Sequence, residues 1–324
     1  MVAEKINLED LSRTFNSFVK QDTFDQNISL YLLNTRSDPT EIYQIEADSN
    51  IKTRIFSIIT DQYDSRRFQE KEITDYDPVV TKNDTHQQLL ATQYDSVWSV
   101  VSALTNKPEL NHTSKGVPEE RFSDYMVEFS INGVIYHAIG SFSSISKMRK
   151  IGIFANFNNN KLKQLKKDGF VGLNSRIDTL EIGGQNILIH GSQGFERVFE
   201  LKKLFSKEAK RTLESENFIG HVTKESLDNM GKTVTNGGRI ARRLTKLRND
   251  ESRLNDFFVH IDKVNDIVGN QNYKNFKKFD SVAYDSKTKK LSVPAGKEEQ
   301  LLNIISDGNY RAEVSGHVGY DEGR

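Results

Sequence analysis

The chain has 324 residues, 36% of them apolar and 28% charged, with equal numbers of basic and acidic side chains. It contains no cysteine, which excludes disulfides, Cys-based metal sites and a Cys nucleophile and fits a reducing cytoplasm. No apolar run is long enough to span a membrane, and the start, "MVAEKINLEDLSRTF", lacks the basic-then-apolar pattern of a secretory signal.

"INLEDLSRTFNSFVK" predicts a helix capped by Asn7, with Leu8, Leu11, Phe15, Phe18 and Val19 on one face. "ISLYLL" (28–33) and "EIYQIE" (41–46) predict two strands joined by a polar turn, and "IKTRIFSII" (51–59) returns to helical spacing. Residues 60–84 are acidic and unpatterned and read as loop. "HQQLLATQYDSVWSVVSAL" (86–104) reads as one helix with Leu90, Tyr94, Val97, Trp98 and Val101 on a stripe, followed by a polar loop. In "YMVEFSINGVIYHAI" (125–139), two apolar-rich runs flank Asn132-Gly133, the preferred pair for a two-residue hairpin turn.

"IGIFANF" (151–157) predicts a strand, and "NNNKLKQLKKDG" a loop with a short basic helix ending at Gly169. "IDTLEIGGQNILIH" (177–190) predicts a second hairpin around Gly183-Gly184. A long helix is expected from Phe195 to Leu213, then helices near 223–230 and 239–258. "SVAYDS" and "KKLSVP" predict strands, "KEEQLLNIIS" (297–306) a helix and "YRAEVSG" (310–316) a last strand. The pattern is α+β. A mixed, largely antiparallel sheet domain is expected over residues 1–190. A helix-rich region with a small β element follows over 191–324, the border falling at Gly191.

Charge divides unevenly. Residues 1–160 carry 16 basic and 22 acidic side chains, and residues 161–324 carry 29 and 23. That asymmetry suggests an acidic partner for the second half. The richest stretch is "NGGRIARRLTKLRNDESRL" (236–254). On a helical wheel, Ile240, Leu244, Leu247, Leu254 and Phe258 share one side, while Arg239, Arg242, Lys246 and Arg253 gather on the other. Such an arc is either an ordinary solvated face or a contact for nucleic-acid phosphates, which the planar guanidinium suits. Gly237-Gly238 precedes the helix, either as turn glycines or as a flexible lead-in that brings backbone N–H groups to a ligand. Lys161, Lys163, Lys166 and Lys167 could extend the footprint.

Signals for catalysis are sparse. No two of the seven histidines stand at metal-ligand spacing, and no H-E-x-x-H, P-loop or G-x-S-x-G is present. Glu200-Leu201-Lys202 has the E-x-K form of a metal-dependent nuclease but falls within an expected helix. Asp280, Asp285 and Lys287 are a similar candidate. No catalytic residue, metal or cofactor is assigned.

Three stretches resemble the KwaB family of the Kiwa anti-phage defence system: "IDTLEIGGQNILIHGSQGFERVFELKKLFSKEA" (177–209), "RIARRLTKLRN" (239–249) and "FDSVAYDSKTKKLSVPAGKEEQLLNIISDGNYRAEVSG" (279–316). The resemblance covers about 140 residues. It implies a cytoplasmic, non-catalytic effector that binds DNA with little sequence preference and forms a homo-oligomer, a dimer being the simplest. It also implies a membrane partner, KwaA, that would recruit the effector to the inner face of the membrane. Carried over by position and charge, the DNA-binding residues would be Arg239, Arg242, Arg243, Lys246 and Arg253. Two other classes stay open: a metal-dependent nuclease with diverged carboxylates, and an interaction protein that docks an acidic partner or an anionic membrane.

Overall fold

Helix α1 (Leu8–Val19) starts as its sequence predicts. The Asn7 side chain accepts the backbone N–H groups of Glu9 and Asp10, satisfying two donors that the first turn leaves open. Leu8, Leu11, Phe15 and Phe18 turn inward. The computed structural model describes residues 6–22, 24–35, 40–79, 85–105, 122–142, 153–158, 161–164, 171–268, 280–306, 309–311 and 318–320. The chain divides into two compact units: residues 1–76 with 81–200, and residues 77–80 with 201–324.

The first unit is built on a ten-stranded sheet. Its strands are β1 (Ile28–Asn34), β2 (Glu41–Ala47), β3 (Ile73–Asp75), β4 (His86–Leu90), β5 (Asp124–Ile131), β6 (Val134–Phe142), β7 (Ile153–Asn158), β8 (Lys161–Gln164), β9 (Val171–Ile182) and β10 (Asn186–Ile189). The order is β3-β4-β10-β9-β6-β5-β1-β2-β8-β7, and a further β7–β9 pairing closes the path from β9 through β8 onto itself. Pairing is antiparallel except for β2–β8 and β3–β4. Helix α2 (Ser49–Asp64) contributes Ile51, Ile55, Phe56, Ile59 and Tyr63 to the same core as α1. Phe15 lies at its centre, edge-on to Phe56, Tyr63, Phe129 and Tyr136. Edge-to-face aromatic packing of this kind adds about 0.5–1.5 kcal/mol per pair beyond area burial.

The expected hairpins are present. Asn132 (φ 52) and Gly133 (φ 80) both adopt the left-handed conformation that a type I′ turn requires. Four expectations are corrected. Residues 60–84 are not all loop: α2 runs on through Tyr63, α3 (Arg66–Gln69) comes next and buries Phe68, and β3 pairs with β4. Residues 86–104 are not one helix. His86–Leu90 form β4, clamped between β3 and β10, and only Asp95–Thr105 form α4. The long helix from Phe195 is two helices, α5 (Ser192–Val198) and α6 (Leu201–Leu213), broken at Glu200 with φ 50. Around Lys161 the chain is strand β8, not loop or helix; 165–170, where the rest of the short basic helix was expected, lies outside the described residues, as does the polar loop over 106–121.

The second unit is helical. It contains α6, α7 (Glu216–His221), α8 (Lys224–Thr233), α9 (Arg239–Asn249), α10 (Glu251–Val259), α11 (Val264–Val268) and α12 (Glu298–Ile305). Strands β11 (Ala283–Asp285) and β12 (Lys290–Ser292) form the expected small antiparallel element. β13 (Asn309–Arg311) pairs with β14 (Val318–Tyr320), so the tail supplies a strand that its sequence did not announce. The fold class is α+β.

Candidate nucleic-acid interface

Helix α9 is held from behind by apolar packing. Ala241, Leu244 and Leu247 are buried, and each leucine so placed contributes about 1.5–3 kcal/mol. Two hydroxyls sit between α9 and α6, each sharing its one proton between a carbonyl of its own helix and one of the other: Thr245 Oγ1 with Ala241 O (2.9 Å) and Phe205 O (3.4 Å), Thr212 Oγ1 with Glu208 O (2.9 Å) and Leu244 O (3.2 Å). Gly237 (φ +60) ends a short 3-10 turn, and a Cβ there would lie 2.2 Å from the Lys202 carbonyl oxygen. It is a packing glycine, required by its left-handed backbone and by the close approach of α6. The helix stops at Asn249. Asp250 then caps α10 by accepting the Arg253 N–H (3.4 Å). The continuous 239–258 helix of the wheel is therefore two helices, and Arg253 belongs to the second.

The five cations have different surroundings. The Arg239 side chain is 63% exposed, with its Nε 3.7 Å from Glu299. The Arg242 guanidinium lies 5.7 Å over the Phe205 ring, within cation–π range. Arg243 spans the end of α12, donating to Asn303 Oδ1 (2.7 Å), Glu299 O (3.4 Å) and Ser306 Oγ (3.2 Å). Arg253 donates to the Ser306 carbonyl. Both guanidiniums reach Ser306 at the carboxyl end of α12, Arg243 through the hydroxyl and Arg253 through the carbonyl, where unsatisfied carbonyls carry partial negative charge. Lys246 Nζ sits 2.7 Å from Asp77 Oδ2, a half-buried pair. Arg248, on the same helix, pairs with buried Glu208 at 3.0 Å.

Sequence spacing did not single out α6. Among its thirteen residues, Lys202, Lys203, Lys207, Lys210 and Arg211 are exposed. Its one carboxylate, Glu208, is buried and held by Arg211 (2.8 Å) and Arg248. The signal is present in the sequence, as "KKLFSKEAKR", but the apolar stripe between the lysines dominates the pattern. Of the other basic cluster, Lys161 pairs with Glu46 across β8–β2, while Lys166 and Lys167 lie outside the described residues.

The nuclease-like carboxylates have structural partners. Glu200 accepts a hydrogen bond from Thr40 Oγ1 (3.3 Å) at the break before α6. Asp285 accepts from Thr288 Oγ1 (2.7 Å) and the Lys287 N–H (2.9 Å), contacts that hold its carboxyl below the ordinary range, and Asp280 accepts from Gln300 Nε2 (2.7 Å). Among the described residues, no group of three or more His, Asp or Glu side chains is positioned to hold a metal ion.

Two histidine clusters emerge only from strand register. His137 lies between Glu181 (Nδ1 to Oε2, 2.5 Å) and Glu128 (Nε2 to Oε2, 3.0 Å), its register neighbours on β9 and β5. Burial alone would lower its pKa, but the two carboxylates outweigh it and raise the value. His190 Nδ1 lies 3.2 Å from His86 Nδ1, Tyr63 Oη lies 2.8 Å from His190 Nε2, and His86 Nε2 lies 3.0 Å from Phe68 O. Burial lowers His86 to about 4 and holds His190 well below its ordinary value, aided for His190 by His86, Arg176 and Lys71.

A ten-stranded, largely antiparallel sheet unit combined with a cation-rich helical unit defines an α+β protein with a cationic helical surface. The model of the Kiwa protein KwaB-like family matches residues 120–314, from the lead-in to β5 through β13, and the chain belongs to that family. Membership places it among the components of Kiwa anti-phage defence. No curated protein and no solved structure matches the chain significantly. No helix among the described residues is long and apolar enough to cross a membrane.

Proposed function

We propose that the chain is a non-catalytic DNA-binding effector of Kiwa defence, recognising the phosphate backbone with little regard to sequence. The observation that carries this reading is its membership of the KwaB-like family, and the cationic surface of the second unit supports it. Arg239, Arg242, Arg243, Lys246 and Arg253 are the contacts proposed on α9 and α10. Arg239 is exposed beside Glu299, and Arg243, Lys246 and Arg253 would exchange partners within the protein for phosphate oxygens. A cytoplasmic homo-oligomer, recruited to the membrane by a partner resembling KwaA, completes the proposal.

The test is a gel-shift titration of the full chain on duplexes of unrelated sequence over a range of salt. Binding should be alike for all duplexes and fall with log salt at about −0.9 per phosphate neutralised. Plasmid incubated with the protein and Mg²⁺ or Mn²⁺ should stay intact. Cleavage of the plasmid would overturn the non-catalytic part, and the absence of any shift would overturn the DNA reading.

A further inference from the structure

We propose that the second unit carries its own competitor for the DNA phosphates: Asp77 and the polar edge of α12 occupy cations of α9 and α10 and hold the free protein in a self-masked state. The inference rests on the DNA-binding reading above and adds a regulation of that same site.

Asp77 is built for its position. It belongs to the second unit although Tyr76, its neighbour in sequence, belongs to the first. Its Oδ1 accepts the Val79 N–H (2.8 Å), a turn that fixes the side chain, and Pro78, which follows it, is buried and has a fixed φ. Oδ2 is thereby turned to Lys246 Nζ at 2.7 Å. The ion pair is not what holds this stretch in place, because the turn and the buried proline already do so, and partly exposed pairs add little stability. Its larger effect is electrostatic. A carboxylate oxygen stands where a phosphate oxygen would meet the same ammonium.

Helix α12 does the same for three arginines. Glu299, Asn303 and Ser306 stand at i, i+4 and i+7, so they form one edge. Leu301, Leu302, Ile304 and Ile305 are buried and seat the helix. Along the edge, the Glu299 carboxylate lies 3.7 Å from Arg239 Nε, and Asn303 Oδ1 accepts from Arg243 at 2.7 Å. Ser306 meets Arg243 through its hydroxyl and Arg253 through its carbonyl. These acceptors come from Asp77 and α12, outside the two helices whose cations they hold. A duplex binds these cations only by displacing them, so its affinity is set by the difference between a phosphate and the internal partner. Two of the partners, Asp77 and Glu299, are anionic and can be neutralised by an amide of the same shape.

The experiment compares full-length proteins by gel shift on a short labelled duplex. They are the wild type, Asp77→Asn, Glu299→Gln, the double variant, and Glu225→Gln with Asp228→Asn, a control that removes two exposed acids from α8 in the same unit. Circular dichroism checks that each is folded, and either single variant tests the masking if the other unfolds. Asp77→Asn should bind about threefold to fivefold tighter, the scale of a partly exposed ion pair, and the double variant tighter still, while the control gains less than about twofold. Lys246→Ala with and without Asp77→Asn isolates the contact: once the ammonium is gone, the gain from Asp77→Asn should fall to no more than that of the control. Gains no larger than the control's would overturn the masking and leave the DNA reading standing. An undiminished gain in the Lys246→Ala background would overturn it too, since Asp77 would then act through bulk charge. Failure of the wild type and every variant to shift the duplex would overturn the DNA reading and the masking with it.

Discussion

Acidification should weaken the first unit through His86 and His190. The hydrogen-bond directions are set by chemistry. Phe68 O can only accept, so His86 Nε2 carries the proton and donates to it, leaving His86 Nδ1 as acceptor. His190 Nδ1–H then donates to His86, and His190 Nε2 accepts from Tyr63 Oη–H. With both rings neutral every group is satisfied; a further proton on His86 Nδ1 sets two N–H donors against each other at the His86–His190 contact. Both folded pKa values lie below the unfolded value, so the unfolded chain binds more protons. The stability these residues contribute is complete above pH ~6.5 and is lost as pH falls towards their folded values. For His86, with a folded value of about 4, the loss between pH ~6.5 and ~5 is about 2 kcal/mol at ~1.4 kcal/mol per unit. His190 adds to it in the same direction. His137 does not interfere in this window: its folded pKa is raised, so its contribution is already complete below pH ~6.5. Urea unfolding followed by Trp98, the single tryptophan and part of the same unit, measures the effect. In His86→Gln the dependence between pH ~6.5 and ~5 should shrink by about 2 kcal/mol. An unchanged pH dependence in that variant would refute the relay.

Two further outcomes are expected from close contacts. Gly237→Ala places a Cβ against the Lys202 carbonyl at a positive φ, and should lower stability by at least about 1–2 kcal/mol, seen as an earlier loss of helical circular dichroism on heating. Glu181→Gln removes one of the two carboxylates that hold the His137 proton, so the His137 pKa should fall, as tracked by its ring proton shifts in NMR; a pKa unmoved by the substitution would show that Glu128 alone sets it.

Local chemistry was legible in the sequence. Asn7 capped α1 because its side chain reaches N–H groups only two and three residues on, and Asn132-Gly133 turned the chain because both residues tolerate positive φ. Elements decided by distant partners were not legible in the same way. "HQQLL" has helical spacing when joined to residues 91–104, yet its backbone groups pair with β10, whose sequence lies about a hundred residues away. The break at Glu200 left no proline or glycine to mark it. The His–Glu and His–His clusters needed strand register, which no local pattern gives.

The cationic helix shows a different limit. A helical wheel fixes the direction of each Cβ, but a guanidinium ends several bonds beyond it and can turn back. Arg243 and Arg253 do so, meeting at Ser306 behind the α12 carboxyl end. The planar, multi-donor geometry that makes arginine suited to phosphate makes it equally suited to a protein's own carbonyls, amides and hydroxyls. Residue type therefore could not separate a phosphate clamp from a structural brace on α9.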